Sequence, residues 1–220
     1  MMREIFNNVF EENEKILTIN LAPGFSVYGE ELVKIESKEY RVWDPYRSKI
    51  SAAIKNGLKN FPIREDSKIL YLGAANGTTV SHVSDVAKNG VVYAVEVAFR
   101  PMRDLIEKVA KKRTNVIPIL ADARKPFSYC YLVENVDLIY ADVAQPDQTD
   151  IVYNNAVAYL KSGGIVCVAI KASSIDSTKD PHLVVDEEIK KMVKNGFELI
   201  ERLDLEPFDK AHEMVVCRWK

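Results

Sequence analysis

Two features of the sequence have the residue types of a nucleoside-binding site. An apolar stretch over residues 68–72 runs into a turn in which Gly73 and Gly77 flank the small residues 74–76, and an amphipathic stretch follows. Small residues at such a turn let the backbone approach a ligand closely, and the next helix can present free N–H groups to that ligand. Glu96 ends the next apolar stretch, VVYAVE, where a carboxylate can accept hydrogen bonds from both hydroxyls of a ribose. Together the turn and Glu96 predict a nucleoside cofactor and leave open which one.

Polar residues also mark the ends of four further predicted strands. They are Asp122 in ADAR, Asp142 and Gln145 in ADVAQPDQ, Lys171 at the start of KASSIDST, and His212, just before the last strand, in DKAHEMVV. Asp122 can accept a hydrogen bond from the exocyclic amine of an adenine, and Ala123 offers a backbone N–H group beside it. A single charged residue at such a place is more often a solvated strand end or a helix cap. Because the carboxyl ends of parallel strands meet at one edge of a sheet, the series predicts a site on that edge.

The composition is that of an ordinary globular protein with one catalytic domain. The chain has 220 residues, of which 47% are hydrophobic and 28% charged, enough for one doubly wound core and a small additional unit. The net charge of −2 argues against a wholly basic nucleic-acid-binding protein, although it is compatible with a local basic face. The cysteines, Cys130, Cys167 and Cys217, form no CxxC pair, so we expect neither a metal site nor a disulfide framework.

The amino-terminal residues give an expectation about location. They read MMREIFNNVFEENEKI and contain no apolar run long enough for a signal peptide or a membrane span. The few, widely spaced cysteines favour a reducing compartment. We therefore expect a cytoplasmic protein without a membrane partner.

The pattern along the chain predicts two unequal parts. Residues 1–45 contain short alternating segments at 16–22, 26–35 and 38–43, separated by turn-forming residues, which indicates a small antiparallel β domain. Residues 46–220 alternate predicted strands and helices through the fifth strand, which predicts a parallel sheet with helices on both faces. The last two of seven predicted strands are joined by EPFDKAH without a helix, so one of them must be antiparallel. The expected fold is α/β and Rossmann-like, with a seven-stranded, mostly parallel sheet, an antiparallel last strand and a small N-terminal β unit.

The last strand and the turn sequence separate two classes of enzyme. A dehydrogenase typically carries GxGxxG and a sixth parallel strand, whereas this chain carries GAANG and an antiparallel last strand, the arrangement of S-adenosylmethionine-dependent methyltransferases. We therefore expect S-adenosylmethionine as the cofactor. A dehydrogenase, and a domain of the same fold without a working site, are the alternatives.

Several strings of residues resemble the fibrillarin family in its archaeal form. They are WDPYRSK, YLGAANGTTVSHVSD, VYAVE, ADAR, DVAQPDQ, IKASSIDST and EPFDKAH, and the similarity covers essentially the whole chain. The resemblance implies 2′-O-ribose methylation of ribosomal and transfer RNA at sites chosen by C/D box guide RNA. It also implies a C/D box ribonucleoprotein whose other proteins are a scaffold protein of the Nop family and a kink-turn-binding, L7Ae-like ribosomal protein.

The resemblance implies which residues bind the cofactor. They are Thr78, Thr79, Glu96, Val97, Asp122, Ala123, Asp142, Val143, Ala144 and Gln145, and the glycine turn itself adds Gly73 and Ala74. Thr78 and Thr79 open the helix after the glycine turn, where hydroxyl and N–H groups can hold the methionine carboxylate, cap the helix, or do both. His82, further along this helix, is interpreted as a structural or surface histidine, because its side chain points away from the first turn.

The same resemblance implies a catalytic group of Lys49, Asp142, Lys171 and His212. A methyl group on a sulfonium is already a good electrophile, so the barrier lies in placing a weak hydroxyl nucleophile and removing its proton. We expect Lys171 to be the general base, because positive neighbours favour its neutral form, and Asp142 to orient it. His212 is expected to orient by hydrogen bonding. Lys49 is explained equally well as a solvated lysine on an amphipathic helix.

Selection of the target nucleotide is expected to come from outside this chain, which has no recognisable RNA-binding module. A basic rim of Arg47, Lys49, Arg100, Arg124, Lys125 and Lys179 could meet an RNA backbone, and scattered solvated charge explains these residues equally well. The N-terminal β unit and exposed apolar residues near it are a candidate docking face for the scaffold protein. A small-molecule methyltransferase and a non-enzymatic assembly subunit are alternative functions.

Overall fold

The computed structural model describes residues 2–210 and 212–220, which form two β-sheets and the helices packed against them. The N-terminal sheet is antiparallel and has the strand order β1-β2-β3-β5-β4. Its strands are β1 (Arg3–Phe6), β2 (Val9–Glu12), β3 (Lys15–Ile19), β4 (Leu32–Ile35) and β5 (Lys38–Val42). The prediction of a small antiparallel β unit is confirmed, although β1 and β2 were not predicted.

Local hydrogen bonding explains where this sheet differs from the predicted segments. The hairpin between β1 and β2 turns at Asn8, which has a left-handed backbone (φ 56°) and gives a weaker turn signal than glycine or proline. The predicted strand at 26–35 is a strand only in its last part. The N–H groups of Val27 and Tyr28 donate to the carboxylate of Glu30, so this stretch forms a turn instead of pairing with a neighbouring strand.

The second sheet is the seven-stranded, mostly parallel sheet expected from the sequence, with the order β11-β12-β10-β9-β6-β7-β8. Its strands are β6 (Lys68–Leu72), β7 (Val91–Glu96), β8 (Val116–Leu120), β9 (Val136–Ala141), β10 (Leu160–Lys171), β11 (Phe197–Asp204) and β12 (His212–Trp219). The strand β12 is antiparallel to both β10 and β11. The prediction of an antiparallel last strand is therefore confirmed.

Six α-helices lie among the described residues. They are α1 (Lys49–Lys55), α2 (Thr78–Val86), α3 (Phe99–Leu105), α4 (Gln148–Tyr159), α5 (Ala172–Ile175) and α6 (Pro181–Lys194). The helix α6 begins at Pro181, because the Asp180 side chain accepts hydrogen bonds from the N–H groups of His182 and Leu183 and caps it. None of the helices in the described part of the chain is long and apolar enough to cross a membrane.

A buried polar cluster joins the N-terminal sheet to α2. The side chain of Arg41, on β5, has no exposed surface and donates to Glu30 Oε1 at 2.6 Å and Asp85 Oδ2 at 2.7 Å. Arg113 donates to the other carboxylate oxygen of Asp85 at 3.2 Å. Removing one partner of a buried ion pair costs about 3–5 kcal/mol, because a buried charge is left uncompensated. The cluster therefore holds the sheet and α2 in a fixed arrangement.

Candidate active site

The glycine turn after β6 brings three strand ends together. The N–H groups of Gly73 and Ala74 both donate to the carbonyl of Val95, on β7, at 3.0 Å. Gly73 has φ +81°, and a Cβ atom there would lie 2.3 Å from the carbonyl oxygen of Asp142, which follows β9. Any other residue would clash with this backbone. Because Gly73 has no side chain, the space between the turn and the backbone of Asp142 stays open.

Glu96, at the end of β7, is fixed by the backbone around it. Its Oε2 accepts a hydrogen bond from the N–H group of Ala75 at 2.8 Å, and its Oε1 accepts one from Ala98 at 2.7 Å. The residue is only 9% exposed. A carboxylate has about four acceptor positions, so each oxygen can still accept a hydroxyl group. The carboxylate is therefore held in one orientation and keeps free acceptor positions on both oxygens.

A cavity of about 180 Å³ opens at the carboxyl ends of β6 to β9. Nine of the residues expected to bind the cofactor line it: Gly73, Glu96, Val97, Asp122, Ala123, Asp142, Val143, Ala144 and Gln145. These residues come from four different strand ends, which the sheet order places side by side. The cavity is thus at the place where α/β sheets of this type bind ligands.

Arg124 lines the same cavity, although the sequence placed it only on the possible RNA rim. Its guanidinium donates to Gln145 Oε1 at 2.7 Å and to Asp147 Oδ2 at 2.8 Å. The hydrogen bond from Arg124 lowers the pKa of Asp147. Arg124 therefore joins the loop after β8 to the loop after β9.

The three remaining expected cofactor residues lie beside this cavity. Ala74 is buried within the turn. Thr78 Oγ1 donates to Asn76 Oδ1, and Thr79 Oγ1 donates to Ser48 Oγ, both at 3.1 Å. These threonines begin α2, whose first N–H groups have no acceptor within the helix. Such a helix terminus can bind an anionic group.

Lys49 and Asp142 form an ion pair at the other side of the turn. Lys49 Nζ lies 2.8 Å from Asp142 Oδ2, and the two side chains are 20% and 25% exposed. Lys49 is the first residue of α1. Of the two explanations for Lys49, the structure therefore favours a place in the site over a solvated position.

Lys171 lies on the same face of the sheet as His212. It is the last residue of β10 and is paired with His212 in the antiparallel ladder between β10 and β12. Residues directly opposite each other in such a ladder share a face, with Cβ atoms about 4.5–5.5 Å apart.

Asp142 also lies on this face. Contrary to the expectation, it does not contact Lys171. Ala141 is paired with Val168 in the parallel ladder between β9 and β10, so alternation along the strands places Asp142 and Lys171 on one side. The carboxylate of Asp142 is bound to Lys49. No carboxylate oxygen in residues 2–210 and 212–220 lies within 4.0 Å of Lys171 Nζ. Asp142 therefore orients Lys49 in this structure, and Lys171 has a different neighbour, His212.

The turn between β11 and β12 adds a carboxylate that was missed in the sequence. Asp209 Oδ1 lies 2.6 Å from His212 Nδ1, and Asp209 Oδ2 lies 3.7 Å from Lys49 Nζ. The only sequence signal was the spacing of Asp209 and His212 in EPFDKAH, a segment interpreted as a simple connection between strands.

Two buried tyrosines underlie the Lys49–Asp142 pair. The rings of Tyr71 and Tyr140 have centroids 4.6 Å apart. Burial raises the pKa of each hydroxyl well above its ordinary value, and the charge of Asp142 adds to this effect. Both hydroxyls are therefore neutral in the folded protein.

His82 is structural, as expected, and it is fully buried. Its Nδ1 lies 2.8 Å from Thr18 Oγ1, its Nε2 lies 2.9 Å from Tyr28 OH, and its ring stacks on Trp43 at 5.0 Å. Burial lowers the pKa of His82 well below its ordinary value, with Arg41 and Arg113 adding to the effect. The ring is therefore a neutral link between α2 and the N-terminal sheet.

The expected basic rim divides into two groups. Lys49, Arg124 and Lys179 are bound to carboxylates. Arg47, Arg100 and Lys125 are exposed, and no carboxylate of the described residues lies within ion-pairing distance of them. Only the second group offers uncompensated charge to a phosphate. Residues 2–210 and 212–220 contain no group of three or more His, Cys, Asp or Glu side chains that could hold a metal ion.

The fold and the cleft around Glu96 define an S-adenosylmethionine-dependent methyltransferase. The cofactor fits the residues present, because Gly73 leaves open the space that any Cβ would fill and Glu96 keeps free acceptor positions. The model of one protein family, Fibrillarin, matches residues 1–220. The chain belongs to the fibrillarin family.

Three similar proteins cover nearly the whole chain. A fibrillarin-like rRNA/tRNA 2′-O-methyltransferase of Methanopyrus kandleri is 54% identical over 213 residues, which is 96% of this chain and 91% of the relative. The crystal structure of Aeropyrum pernix fibrillarin with natively bound S-adenosyl-L-methionine superposes with a TM-score of 0.87 at 47% identity, covering 95% of this chain and 92% of that one. A fibrillarin in complex with Nop5p superposes with a TM-score of 0.91 at 39% identity, covering 99% of this chain and 100% of that one.

Proposed function

We propose that this chain transfers the methyl group of S-adenosylmethionine to the 2′-hydroxyl of ribose in ribosomal and transfer RNA. In this proposal it is the catalytic subunit of a C/D box ribonucleoprotein, and guide RNA chooses the nucleotide. The observation that carries the proposal is that Asp142, Lys171 and His212 share one face of the sheet beside the Glu96 cleft, with Lys49 bound to Asp142. The relative from Methanopyrus kandleri is named a fibrillarin-like rRNA/tRNA 2′-O-methyltransferase, and this name supports the proposal.

The cofactor-binding roles follow from the chemistry of the lining residues. Glu96 accepts hydrogen bonds from the two ribose hydroxyls, and Asp122 accepts one from the adenine amine, with the N–H group of Ala123 beside it. Thr78 and Thr79, at the start of α2, bind the methionine carboxylate. Residues 142–145 close the cleft on the β9 side.

The reacting hydroxyl needs a base and a fixed position. When bound, S-adenosylmethionine supplies a methyl group on a positively charged sulfur that leaves as a neutral thioether. Lys171 Nζ accepts the proton of the 2′-hydroxyl as the oxygen attacks. Lys49, held by Asp142 at 2.8 Å, places a positive charge beside the developing oxyanion. His212 orients Lys171, its partner in the ladder.

In this proposal, the partners of the chain select the target nucleotide. The chain has a net charge of −2, so it is poorly suited to hold RNA tightly by itself. The complex of a related fibrillarin with Nop5p supports a scaffold protein of the Nop family as the partner that docks the enzyme. Guide RNA, and a kink-turn-binding, L7Ae-like protein that anchors it, complete the particle that we propose.

A reconstituted particle tests this function. The chain, a Nop-family scaffold protein, an L7Ae-like protein, guide RNA and a matching target RNA are incubated with S-adenosylmethionine, and 2′-O-methyl groups are mapped on the target. We expect one methylated nucleotide that moves when the guide sequence is changed. Methylation without guide would favour a different methyltransferase, and failure to bind S-adenosylmethionine would favour a non-enzymatic assembly subunit.

A further inference from the structure

The turn between β11 and β12 places the Asp209 carboxylate beside His212 and Lys49. The N–H groups of Phe208 and Asp209 both donate to the carbonyl of Leu205, at 2.9 and 3.0 Å. Leu205 is fully buried, and its own N–H group donates to the carbonyl of His212 at 3.1 Å. The turn is thus closed by backbone hydrogen bonds and anchored by an apolar side chain. Asp209 is therefore held in place by more than its contact with His212.

The surroundings of His212 determine which ring nitrogen carries the proton. Nδ1 lies 2.6 Å from a carboxylate oxygen of Asp209 and 3.1 Å from the carbonyl oxygen of Lys210. A carbonyl oxygen can only accept hydrogen bonds, and so can an ionised carboxylate. Nδ1 must therefore be the protonated nitrogen. In the neutral ring, Nε2 then carries the free lone pair.

Nε2 is the atom of His212 that is free to contact Lys171. The two residues are directly opposite each other in the β10–β12 ladder, and opposite residues have Cβ atoms about 4.5–5.5 Å apart on one face. A lysine side chain spans that distance, and Lys171 has no carboxylate within 4.0 Å among the described residues. A neutral Lys171 can donate one N–H to Nε2 while its lone pair faces the substrate.

We propose that Asp209 is a positioning residue of the methyl-transfer site. One of its oxygens lies 2.6 Å from His212 Nδ1 and holds the ring in place, so that Nε2 can accept a hydrogen bond from Lys171 and orient the base. Its other oxygen, 3.7 Å from Lys49 Nζ, restrains Lys49 together with Asp142. This inference rests on the proposed function, because it assigns Asp209 a role in that same reaction.

The first test compares Asp209→Asn with the unchanged chain in the reconstituted particle. The amide removes the negative charge beside Nδ1 and Lys49, so the His212 ring and the Lys49 side chain are held less firmly. For a histidine that binds a metal, losing the partner that orients it typically costs about 10–100-fold in activity, and the same order is expected for a histidine that orients a base. We expect a loss of that size in the single-turnover rate, with S-adenosylmethionine affinity and the KM for RNA within about twofold. Asp209→Glu should recover part of the rate.

The second test measures the protonation of the two His212 ring nitrogens by NMR. In the free protein, the ¹⁵N shifts of His212, assigned with His212→Gln, should show protonated Nδ1 and unprotonated Nε2. In Asp209→Asn the carbonyl of Lys210 still accepts a hydrogen bond from Nδ1, so the tautomer should remain, but the ¹⁵N shift of Nδ1 should move because its charged neighbour is lost. The matched control is Asp66→Asn, which removes the same charge from an exposed carboxylate. Among the described residues its ion-pair partner is Arg64, and it lies before the start of β6, at the edge of the sheet opposite the site. The control should change neither the spectrum of His212 nor the rate.

The outcomes separate this inference from the proposed function. A complete particle of unchanged sequence that shows no guide-dependent methylation contradicts the function. A particle in which Asp209→Asn is as fast as the unchanged chain contradicts only the inference, as does an unchanged ¹⁵N shift of His212 Nδ1 in Asp209→Asn. In a background of His212→Gln, Asp209→Asn should lower the rate little further, and a full additional loss would show that Asp209 does not act through His212.

Discussion

Lys49 Nζ lies 2.8 Å from Asp142 Oδ2, although the two residues are 93 positions apart in the chain. The contact joins the start of α1 to the end of β9, so it depends on how α1 packs across the sheet. Both side chains keep some exposure, at 20% and 25%. Partly exposed ion pairs contribute little to stability, about 0–1 kcal/mol. The pair is therefore better explained by chemistry at the cleft than by a contribution to folding.

The first prediction concerns this pair. Lys49→Met should lower the single-turnover rate of methyl transfer at least tenfold, because no positive charge remains beside the developing oxyanion. The free energy of unfolding should change by less than about 1 kcal/mol. Lys55→Met is the matched control, since Lys55 ends the same helix and its Nζ donates to the carbonyl of Glu14, away from the cleft. Equal rates for the two variants would contradict the role given to Lys49.

The second prediction concerns the base. Lys171→Ala should abolish methyl transfer and leave S-adenosylmethionine affinity nearly unchanged, because Lys171 does not line the cofactor cavity. Rates in the reconstituted particle and calorimetric binding to the free chain check the two parts. Lys179→Ala, which removes an exposed lysine paired with Glu187, should leave both unchanged. Turnover by Lys171→Ala would rule out Lys171 as the base.

The parts of the site that the sequence predicted are those with short-range signals. Gly73 and Glu96 each end an apolar strand, and strand ends can be located from periodicity alone. The partner of Asp142 was predicted as Lys171, whereas the structure pairs it with Lys49. Periodicity places residues on an edge, but it does not say which of several long side chains will bridge to a given carboxylate. That depends on the packing of α1.

Asp209 and the first hairpin were missed for a related reason. Asp209 lies in a connection without helical or strand periodicity, and its contacts with His212 and Lys49 exist only once β12 pairs with β10. The turn at Asn8 lacks the glycine that usually marks a hairpin. The overall α/β fold was predictable because alternating strands and helices leave few topologies.

The third prediction distinguishes a steric clash from backbone strain when a glycine is replaced by alanine. Gly73→Ala puts a Cβ 2.3 Å from the carbonyl oxygen of Asp142, in addition to the strain of a left-handed backbone. Gly163 has a similar φ, +75°, with no atom within 4 Å of its added Cβ. Gly163→Ala should therefore cost only about 1 kcal/mol of stability. Gly73→Ala should cost more and should also abolish S-adenosylmethionine binding, measured by calorimetry. Normal binding by Gly73→Ala would show that the turn can relax away from Asp142.

The fourth prediction concerns Glu96. Glu96→Gln keeps one carbonyl oxygen for the turn but loses a charged acceptor, so S-adenosylmethionine affinity should fall by about 1.5–3 kcal/mol, roughly 10–150-fold. Glu96→Ala should lose at least as much, because it also leaves the N–H groups of Ala75 and Ala98 without an acceptor. Calorimetric titration measures both variants. An affinity of Glu96→Gln equal to that of the unchanged chain would exclude a contact with the ribose.

The last prediction concerns the buried histidine between α2 and the N-terminal sheet. The pKa of His82 is held well below its ordinary value by burial and by Arg41 and Arg113, so the folded protein keeps His82 neutral. The unfolded chain takes up a proton at His82 below a pH of about 6.5. The unfolded state therefore binds more protons, and stability must fall as the pH drops below about 6.5, by up to about 1.4 kcal/mol per pH unit from this residue.

Two histidine variants test the sign of this effect in denaturant unfolding at pH 7, 6 and 5. His82→Gln should be less stable at pH 7, because it loses the stacking on Trp43, but its stability should depend less steeply on pH. The pKa of His182 is shifted in the opposite direction, because its hydrogen bond to Glu213 raises it. The stabilisation from His182 is present below a pH of about 6.5 and is lost as the pH rises through its raised value. His182→Gln should therefore steepen the loss of stability toward acid, and a slope for His82→Gln equal to that of the unchanged chain would mean that His82 is protonated in the folded state.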